Sequence, residues 1–130
     1  MGKRRSIVIE GFRHGTQPIP AASVVRNVLM TGGVHGLDPE TGKPEPDPVR
    51  QVALMFQHLE AIMRAAGGSM DDIVKLDVYA SDRAIRATVN DRWVELFPDE
   101  AARPARHTFQ YDHLPPGILV QCVATAVLGD

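Results

Sequence analysis

Two polar side chains near the C-terminus are the best candidates for chemistry, because each lies in a segment whose pattern predicts a β-strand. Arg106 stands at the head of an alternating segment, 105–111, and Gln121 interrupts a long apolar run. A buried guanidinium without a partner is costly to desolvate. Arg106 therefore needs either the carboxylate of a ligand or a structural partner in the protein, and the spacing favours neither. The candidate structural partners are Asp72, Asp77 and Asp112.

Alternation along the two segments predicts which side chains share a face. We interpret them as two strands joined by a tight connection at 114–117. Arg106 and Thr108 fall on one side of the first strand, and Gln121 falls with Leu119 on one side of the second. A face that mixes polar and apolar side chains in this way is typical of a subunit interface. We expect Arg106, Thr108 and Gln121 to share this face, in a cleft between chains.

Asn90 is a further candidate, because asparagine has a modest helix propensity and yet lies inside a predicted helix. Its side chain is either a polar contact across an interface or an ordinary exposed asparagine. His35, which lies between Gly33 and Gly36, is the best candidate for an imidazole that faces a ligand. His58, in the first predicted helix, is expected at the surface.

Metal chemistry is not expected from this sequence. The five histidines show no HxH, HxxxH or HExxH spacing, and the single cysteine, Cys122, cannot complete a zinc site. Cys122 alternates onto the apolar side of its strand and is predicted to be a small buried hydrophobic residue.

The elements that would position these residues follow from hydrophobic periodicity and from capping residues. The predicted order is β-β-α-β-α-β-β. Two helices and one mixed sheet make an α+β protein with both helices packed on one face of the sheet. The predicted strands are 6–10, 24–31, 73–80, 105–111 and 118–128, and the helices begin after Asp47 and Asp82 and end before Gly67 and at Pro98.

Size and composition fit one domain over residues 1–130, since the chain is 44% hydrophobic and long enough to bury a core. A formal net charge of -2 gives no broad basic field, so nucleic-acid binding is not supported. One cysteine, no signal peptide and no long apolar run favour a soluble protein of the reducing cytoplasm.

Short motifs from Val24 to the C-terminus occur in an order that is specific, although each alone is weak. In that order the chain resembles the RidA family, also called the YjgF family, of reactive-intermediate deaminases. The motifs are Thr31-Gly32, Asp38-Pro39-Glu40-Thr41-Gly42, Ala65-Ala66-Gly67, Asp72-Ile73-Val74-Lys75, Val89-Asn90, Pro104-Ala105-Arg106 and Leu114-Pro115.

The resemblance implies a chorismate-mutase-like fold of the bacillus type, assembled as a homotrimer with ligand clefts between subunits. It also implies hydrolysis of small enamine or imine carboxylates, such as 2-aminoacrylate, to a 2-keto acid and ammonia without a cofactor. On this basis the chain is expected to be an imine deaminase.

The resemblance also implies roles for individual residues. Arg106 would grip the substrate carboxylate, and main-chain groups around His107 and Thr108 would help to bind it. Gln121 aligns with a glutamate of the family that positions the attacking water, and Asn90 would contribute from the helix. The remaining candidates for substrate binding are Thr31, Gly33 and His35.

Three positions depart from the family pattern. Gln121 can hold a water molecule but cannot take its proton as a carboxylate can. The segment 17–22 lacks the family's tyrosine, and Gly33 replaces its usual glutamine. These changes would reshape the pocket and allow a substrate other than 2-aminoacrylate. They also keep open a non-catalytic trimer that binds metabolites, whereas the near-neutral charge counts against a ribonuclease or a translation inhibitor.

Overall fold

Residues 3–129 are the part of the chain that this computed structural model describes, and they contain seven strands and two long helices. The strands form one mixed sheet in the order β1-β2-β3-β7-β5-β6, with β4 also paired to β7; β5 and β6 are parallel, and the other pairs are antiparallel. The predicted α+β architecture is confirmed, but two more strands are present than the predicted order contains. The elements are β1 (Arg5–Ile7), β2 (Ala22–Val25), β3 (Val28–Thr31), β4 (Val34–His35), α1 (Pro48–Ala65), β5 (Ile73–Ala80), α2 (Arg83–Leu96), β6 (Ala105–Gln110) and β7 (Val120–Val127).

The segment 24–31, predicted as one strand, is part of a β-hairpin. Strands β2 and β3 pair up to Val25 and Val28, so Arg26 and Asn27 form the turn. Arg26 has a φ of 56°, a conformation that two-residue hairpin turns require and that arginine seldom adopts. The prediction was wrong here because it took 24–31 as one continuous strand, although the polar pair Arg26-Asn27 interrupts the apolar run where the chain reverses.

Both helices begin where the sequence predicts. The Asp47 carboxylate accepts a hydrogen bond from the Arg50 amide at 3.3 Å, and Pro48 occupies the first turn. Asp82 caps α2 in the same way, through the Ile85 amide at 3.1 Å. The apolar stripes that follow are buried and form the core against the sheet; they include Val52, Phe56, Leu59, Ile62, Met63, Ile85, Val89, Trp93 and Phe97.

The sheet has two different faces. The helix face, which packs on α1 and α2, carries the apolar side of β7 as predicted, and Cys122 lies there with no exposed surface. Burial raises the pKa of the Cys122 thiol well above its usual value, so it is a buried hydrophobic residue, as predicted. The open face carries the other side of β7, where the partly exposed residues are Gln121, Val123 and Thr125.

Arg106 and Gln121 lie on opposite faces, contrary to the prediction. Strand β5 lies between β6 and β7, so the latter two do not pair. Paired residues share a face: Leu76 pairs with both Arg106 and Ala124, which puts Arg106 on the helix face. Gln121 pairs with Tyr79 on the open face. The prediction failed because it treated strands that follow each other in the sequence as neighbours in the sheet.

Two further side chains depart from the pattern. His58, expected at the surface, is 3% exposed, and its Nε2 donates to the Leu37 carbonyl oxygen at 2.7 Å. Val74 alternates with Leu76 and Val78 and so was expected on the apolar side of β5. It is 51% exposed instead, because a bulge between Ile73 and Lys75 turns it to the other side.

Candidate functional site

The candidate residues fall into two clusters, one on each face of the sheet. The arginine cluster lies between α2 and the edge strand β6, and it consists of Arg86, Asn90, Trp93, Arg106 and Thr108. The histidine–glutamine cluster lies where β4 meets β7, and it consists of His14, Gly33, His35 and Gln121.

Arg106 is held by neutral groups, and no carboxylate in the part of the chain that the structure describes pairs with it. Its Nη2 donates to Asn90 Oδ1 at 2.5 Å, and its Cζ lies 4.9 Å from the centre of the Trp93 ring. Its Nη1 is buried and finds no hydrogen-bond partner among the described residues, 3–129. Within residues 3–129 no carboxylate forms a salt bridge with Arg106, including the three that the sequence offered as structural partners: Asp72, Asp77 and Asp112.

The surroundings of Arg106 favour an added negative charge. Burial of the guanidinium, together with the positive charge of Arg86, lowers the pKa of Arg106 from its usual value. Arg86 donates to the Thr108 carbonyl oxygen at 3.3 Å, so both guanidinium groups lie beside the first half of β6. A carboxylate would relieve the repulsion between these cations and would accept hydrogen bonds from the unpartnered Nη1. The arginine cluster is thus suited to bind a small anion.

The histidine–glutamine cluster is built by strand pairing. Register pairs His35 with Gln121, and the imidazole Nε2 lies 2.6 Å from the amide Oε1. Because an amide oxygen accepts, His35 donates this hydrogen bond. A Cβ on Gly33 would lie only 2.7 Å from Gln121 Cδ, so a glycine at this position leaves room for the glutamine side chain.

Aromatic rings pack around His35. Its ring centre lies 5.9 Å from that of Phe12 and 6.0 Å from that of His14. His14 Nε2 in turn donates to the Gly33 carbonyl oxygen at 2.6 Å. Burial lowers the pKa of His35; the hydrogen bond with Gln121 opposes this shift, and the charge of His14 adds to it. His35 is therefore a neutral imidazole near pH 7.

A groove of about 400 Å³ opens beside this cluster. Arg13, His14, Gln17 and His35 form its polar part, and most of the remaining lining is apolar. The volume suits a small organic molecule, which would reach the His35 ring from the groove. The apolar lining residues are Ile19, Leu37, Pro44, Pro115, Pro116 and Ile118.

The other predicted residues are distributed between these places. Thr31 is 7% exposed, and its hydroxyl accepts a hydrogen bond from the Ala124 amide at 2.9 Å, where β3 and β7 lose their regular pairing. His107 is exposed on the open face, against the Phe109 ring. Thr108 belongs to the arginine cluster, as does Asn90. The structure thus brings Arg106 together with Asn90 and Thr108, and Gln121 with Gly33 and His35.

Sequence reasoning missed three members of the clusters, namely Arg86, Trp93 and His14. Arg86, Asn90 and Trp93 are spaced by four and three residues, so they lie along one stripe of α2. That spacing could have identified these residues from the sequence, because it places an arginine, an amide and an indole on one side of α2, facing the same strand. His14 lies in an irregular segment whose path the sequence does not predict.

Two other features, a metal site and a membrane-spanning helix, are absent from the residues that the structure describes. No three His, Cys, Asp or Glu side chains in 3–129 come together in a way that could hold a metal ion. Neither helix in the same range combines the length and apolar character that a membrane span requires.

The fold and the clusters define an α+β protein with a mixed sheet. One face of the sheet carries the arginine cluster, and the other carries the histidine–glutamine cluster beside a groove of small-molecule size. Residues 16–128 match the family described as Endoribonuclease L-PSP. Reactive Intermediate Deaminase A, chloroplastic, of Arabidopsis thaliana is 34% identical over 111 residues, which cover 83% of this chain and 58% of that protein. The 2-iminobutanoate/2-iminopropanoate deaminase of Escherichia coli K12 is 32% identical over 102 residues, covering 78% of this chain and 80% of that protein.

Solved structures agree with these relatives. The structure of Escherichia coli TdcF with bound serine is 27% identical, with a TM-score of 0.87 over 96% of this chain and 99% of that one. RidA from the Antarctic bacterium Psychrobacter sp. PAMC 21119 is 28% identical, with a TM-score of 0.87 over 95% and 99%. The chain belongs to the RidA/YjgF family, which confirms the resemblance inferred from its motifs.

Proposed function

We propose that this chain hydrolyses a small imine or enamine carboxylate to a 2-keto acid and ammonia. The observation that carries the proposal is the partly buried guanidinium of Arg106, which has a neutral partner, a cationic neighbour and, within residues 3–129, no carboxylate partner. Relatives named as deaminases of reactive intermediates and of 2-iminobutanoate and 2-iminopropanoate support the reaction type.

The proposed reaction needs a held carboxylate and a water molecule at the imine carbon. Arg106 would bind the carboxylate with two parallel hydrogen bonds, positioned by Asn90. Water would add to the carbon of the C=N bond, the nitrogen would leave as ammonia, and a C=O bond would replace it. Gln121 would hold the water, and the absence of a side chain at Gly33 leaves space for the glutamine side chain.

The opposite placement of the two clusters favours a site shared between chains. Two strand spacings, on the order of 10 Å, separate β6 from β7, and the side chains of Arg106 and Gln121 leave opposite faces. A small imino acid cannot span that separation. We therefore place the site between copies of the chain in a homotrimer, with Arg106 from one copy and Gln121 from its neighbour.

Exposed apolar side chains on the open face support this assembly. They lie together on β2, β3 and β7, where a subunit interface would cover them. Their exposed fractions are 46% for Val25, 41% for Val28, 56% for Met30 and 44% for Val127.

The test is the release of ammonia from imino acids generated in situ by an amino-acid oxidase. The wild-type protein should accelerate release over the oxidase alone, and Arg106→Ala should abolish most of the acceleration. Arg64→Ala is the matched control, since Arg64 is an exposed arginine of α1 that pairs with Glu60. No acceleration by the wild type would refute the function, and equal rates for wild type and Arg106→Ala would refute the role of Arg106.

A second candidate is a trimer that binds keto acids or imino acids without turnover. The amide at Gln121 favours it, because an amide does not accept a proton from water near neutral pH. Thermal stabilisation by small 2-keto acids, with no ammonia release from any imino acid, would support this alternative.

A further inference from the structure

We propose that His35 is the group that exchanges protons with the attacking water, and that Gln121 positions the imidazole instead of activating water itself. This inference rests on the proposed imine hydrolysis. It assigns a catalytic base to a site in which the family's glutamate is replaced by an amide.

The hydrogen bond between His35 and Gln121 fixes which ring nitrogen can accept a proton. Since Nε2 donates to the amide oxygen at 2.6 Å, the lone pair of the neutral ring lies on Nδ1. Nδ1 has no hydrogen-bond partner within residues 3–129. A base held through its second nitrogen by a hydrogen-bonding partner is the general arrangement by which proteins orient a catalytic imidazole.

The position of the imidazole is constrained on three sides. Strand pairing holds His35 opposite Gln121, and the absence of a side chain at Gly33 allows the amide to lie flat against the backbone. The ring of Phe12 packs at 5.9 Å, which limits rotation of the imidazole. The remaining side of the ring borders the groove of about 400 Å³, from which substrate and water would approach.

Burial, together with the charges around His35, keeps the imidazole neutral. His14 and Arg13 face it from the N-terminal segment, Tyr79 of β5 pairs with Gln121, and His58 of α1 lies behind Phe12. No carboxylate in residues 3–129 forms an ion pair with the ring. Burial, the largest influence, lowers the pKa of His35, which leaves the ring unprotonated and ready to act as a base near pH 7.

The proton balance of the reaction then closes within the site. As the water oxygen bonds to the imine carbon, its proton passes to Nδ1 and the C=N π electrons move to nitrogen. The imidazolium returns this proton to the amine nitrogen, which leaves as ammonia while the remaining O–H forms the carbonyl group and supplies the last proton. The imidazole is regenerated, and water plus imine gives keto acid plus ammonia.

The first test is His35→Ala with and without added imidazole. We expect kcat to fall by about 10²–10⁴-fold, the usual contribution of a general base, and free imidazole to restore part of it. His113→Ala is the control, since the His113 side chain is 80% exposed and pairs with Asp112, away from both clusters. A loss of activity that imidazole cannot restore would indicate a structural role and would overturn the proposal.

The second test is the pH dependence of kcat. In the wild type the rate should fall as the pH drops through the lowered pKa of His35, below the ordinary value of 6.5. Gln121→Glu places a carboxylate beside the ring and should move this acid limb to higher pH, whereas His35→Ala should lack it.

The outcomes separate this inference from the proposed function. Ammonia release that depends on Arg106 but keeps its rate and acid limb in His35→Ala would overturn the role of His35 and leave the deaminase standing. Absence of ammonia release by the wild type would overturn both.

Discussion

The two clusters use burial for opposite purposes. In the arginine cluster, Arg106 keeps its charge despite partial burial, because a guanidinium remains protonated even when its pKa is lowered. In the histidine–glutamine cluster, burial is enough to keep His35 neutral, because an imidazole titrates near pH 6.5. The same desolvation therefore leaves a charged group on one face of the sheet, which suits the proposed anchoring of a carboxylate, and a neutral imidazole on the other, which suits the proposed proton transfer.

Substitution of Arg106 tests the anchoring half and should have the largest effect. Arg106→Ala would remove the two charge-assisted hydrogen bonds proposed to the substrate, so kcat/KM should fall by about 10²–10⁴-fold. Arg106→Lys keeps the charge without the two-pronged geometry and should lie between Ala and wild type. Steady-state kinetics on one imino acid would measure both. If Arg106→Ala had the same kcat/KM as Arg64→Ala, Arg106 would not anchor the substrate, and the proposed division of roles between the two clusters would be wrong.

Alanine substitutions at Gly33 and, as a control, at Gly32 test the proposed role of the histidine–glutamine cluster in proton transfer. Gly33→Ala should push Gln121 away from His35, because the new Cβ would lie 2.7 Å from Cδ. We expect kcat to fall by about 10–100-fold, since small misplacements of a reacting group are costly. The free energy of unfolding should change by less than about 1 kcal/mol, because only the end of a flexible side chain must move.

Gly32→Ala is the matched control for this substitution. A Cβ there would meet nothing closer than 3.7 Å, so both kcat and stability should stay near those of the wild type. Equal kinetics for the two alanine variants would show that the position of Gln121 is irrelevant to turnover.

Substitutions of Asn90 test how the Arg106 guanidinium is positioned, and they have the smallest expected effect. Asn90→Ala removes one neutral hydrogen bond to Arg106, so KM should rise by about 2–10-fold with kcat nearly unchanged. Asn90→Asp should raise KM further, because its carboxylate would compete with the substrate for the guanidinium. A lower KM in Asn90→Asp than in Asn90→Ala would contradict an anion site at Arg106.

Local features of the fold were predictable from the sequence, and long-range pairing was not. Asp47 and Asp82 mark their helices through caps that need only neighbouring residues. Alternation along β7 correctly separates Cys122 from Gln121. Which strand lies beside β6 depends on contacts far apart in the sequence, so the shared face predicted for Arg106 and Gln121 was wrong.

The same distinction applies to the site. Arg106 was identified because a charge in a strand requires a partner, and Gly33 because it departs from the family pattern. The contact between His35 and Gln121 joins residues 86 positions apart and becomes visible only through the pairing of β4 with β7.

The central claim, a site completed by two chains, is tested most directly by mixing inactive subunits. Arg106→Ala and His35→Ala chains with different tags would be co-expressed, and assemblies carrying both tags would be isolated. If each site takes Arg106 from one copy and His35 from its neighbour, every mixed closed trimer contains one intact site of three, so the isolated assemblies should regain about one third of the wild-type sites. Ammonia release near that level is the predicted result. Mixed assemblies as inactive as either variant alone would contradict the shared site.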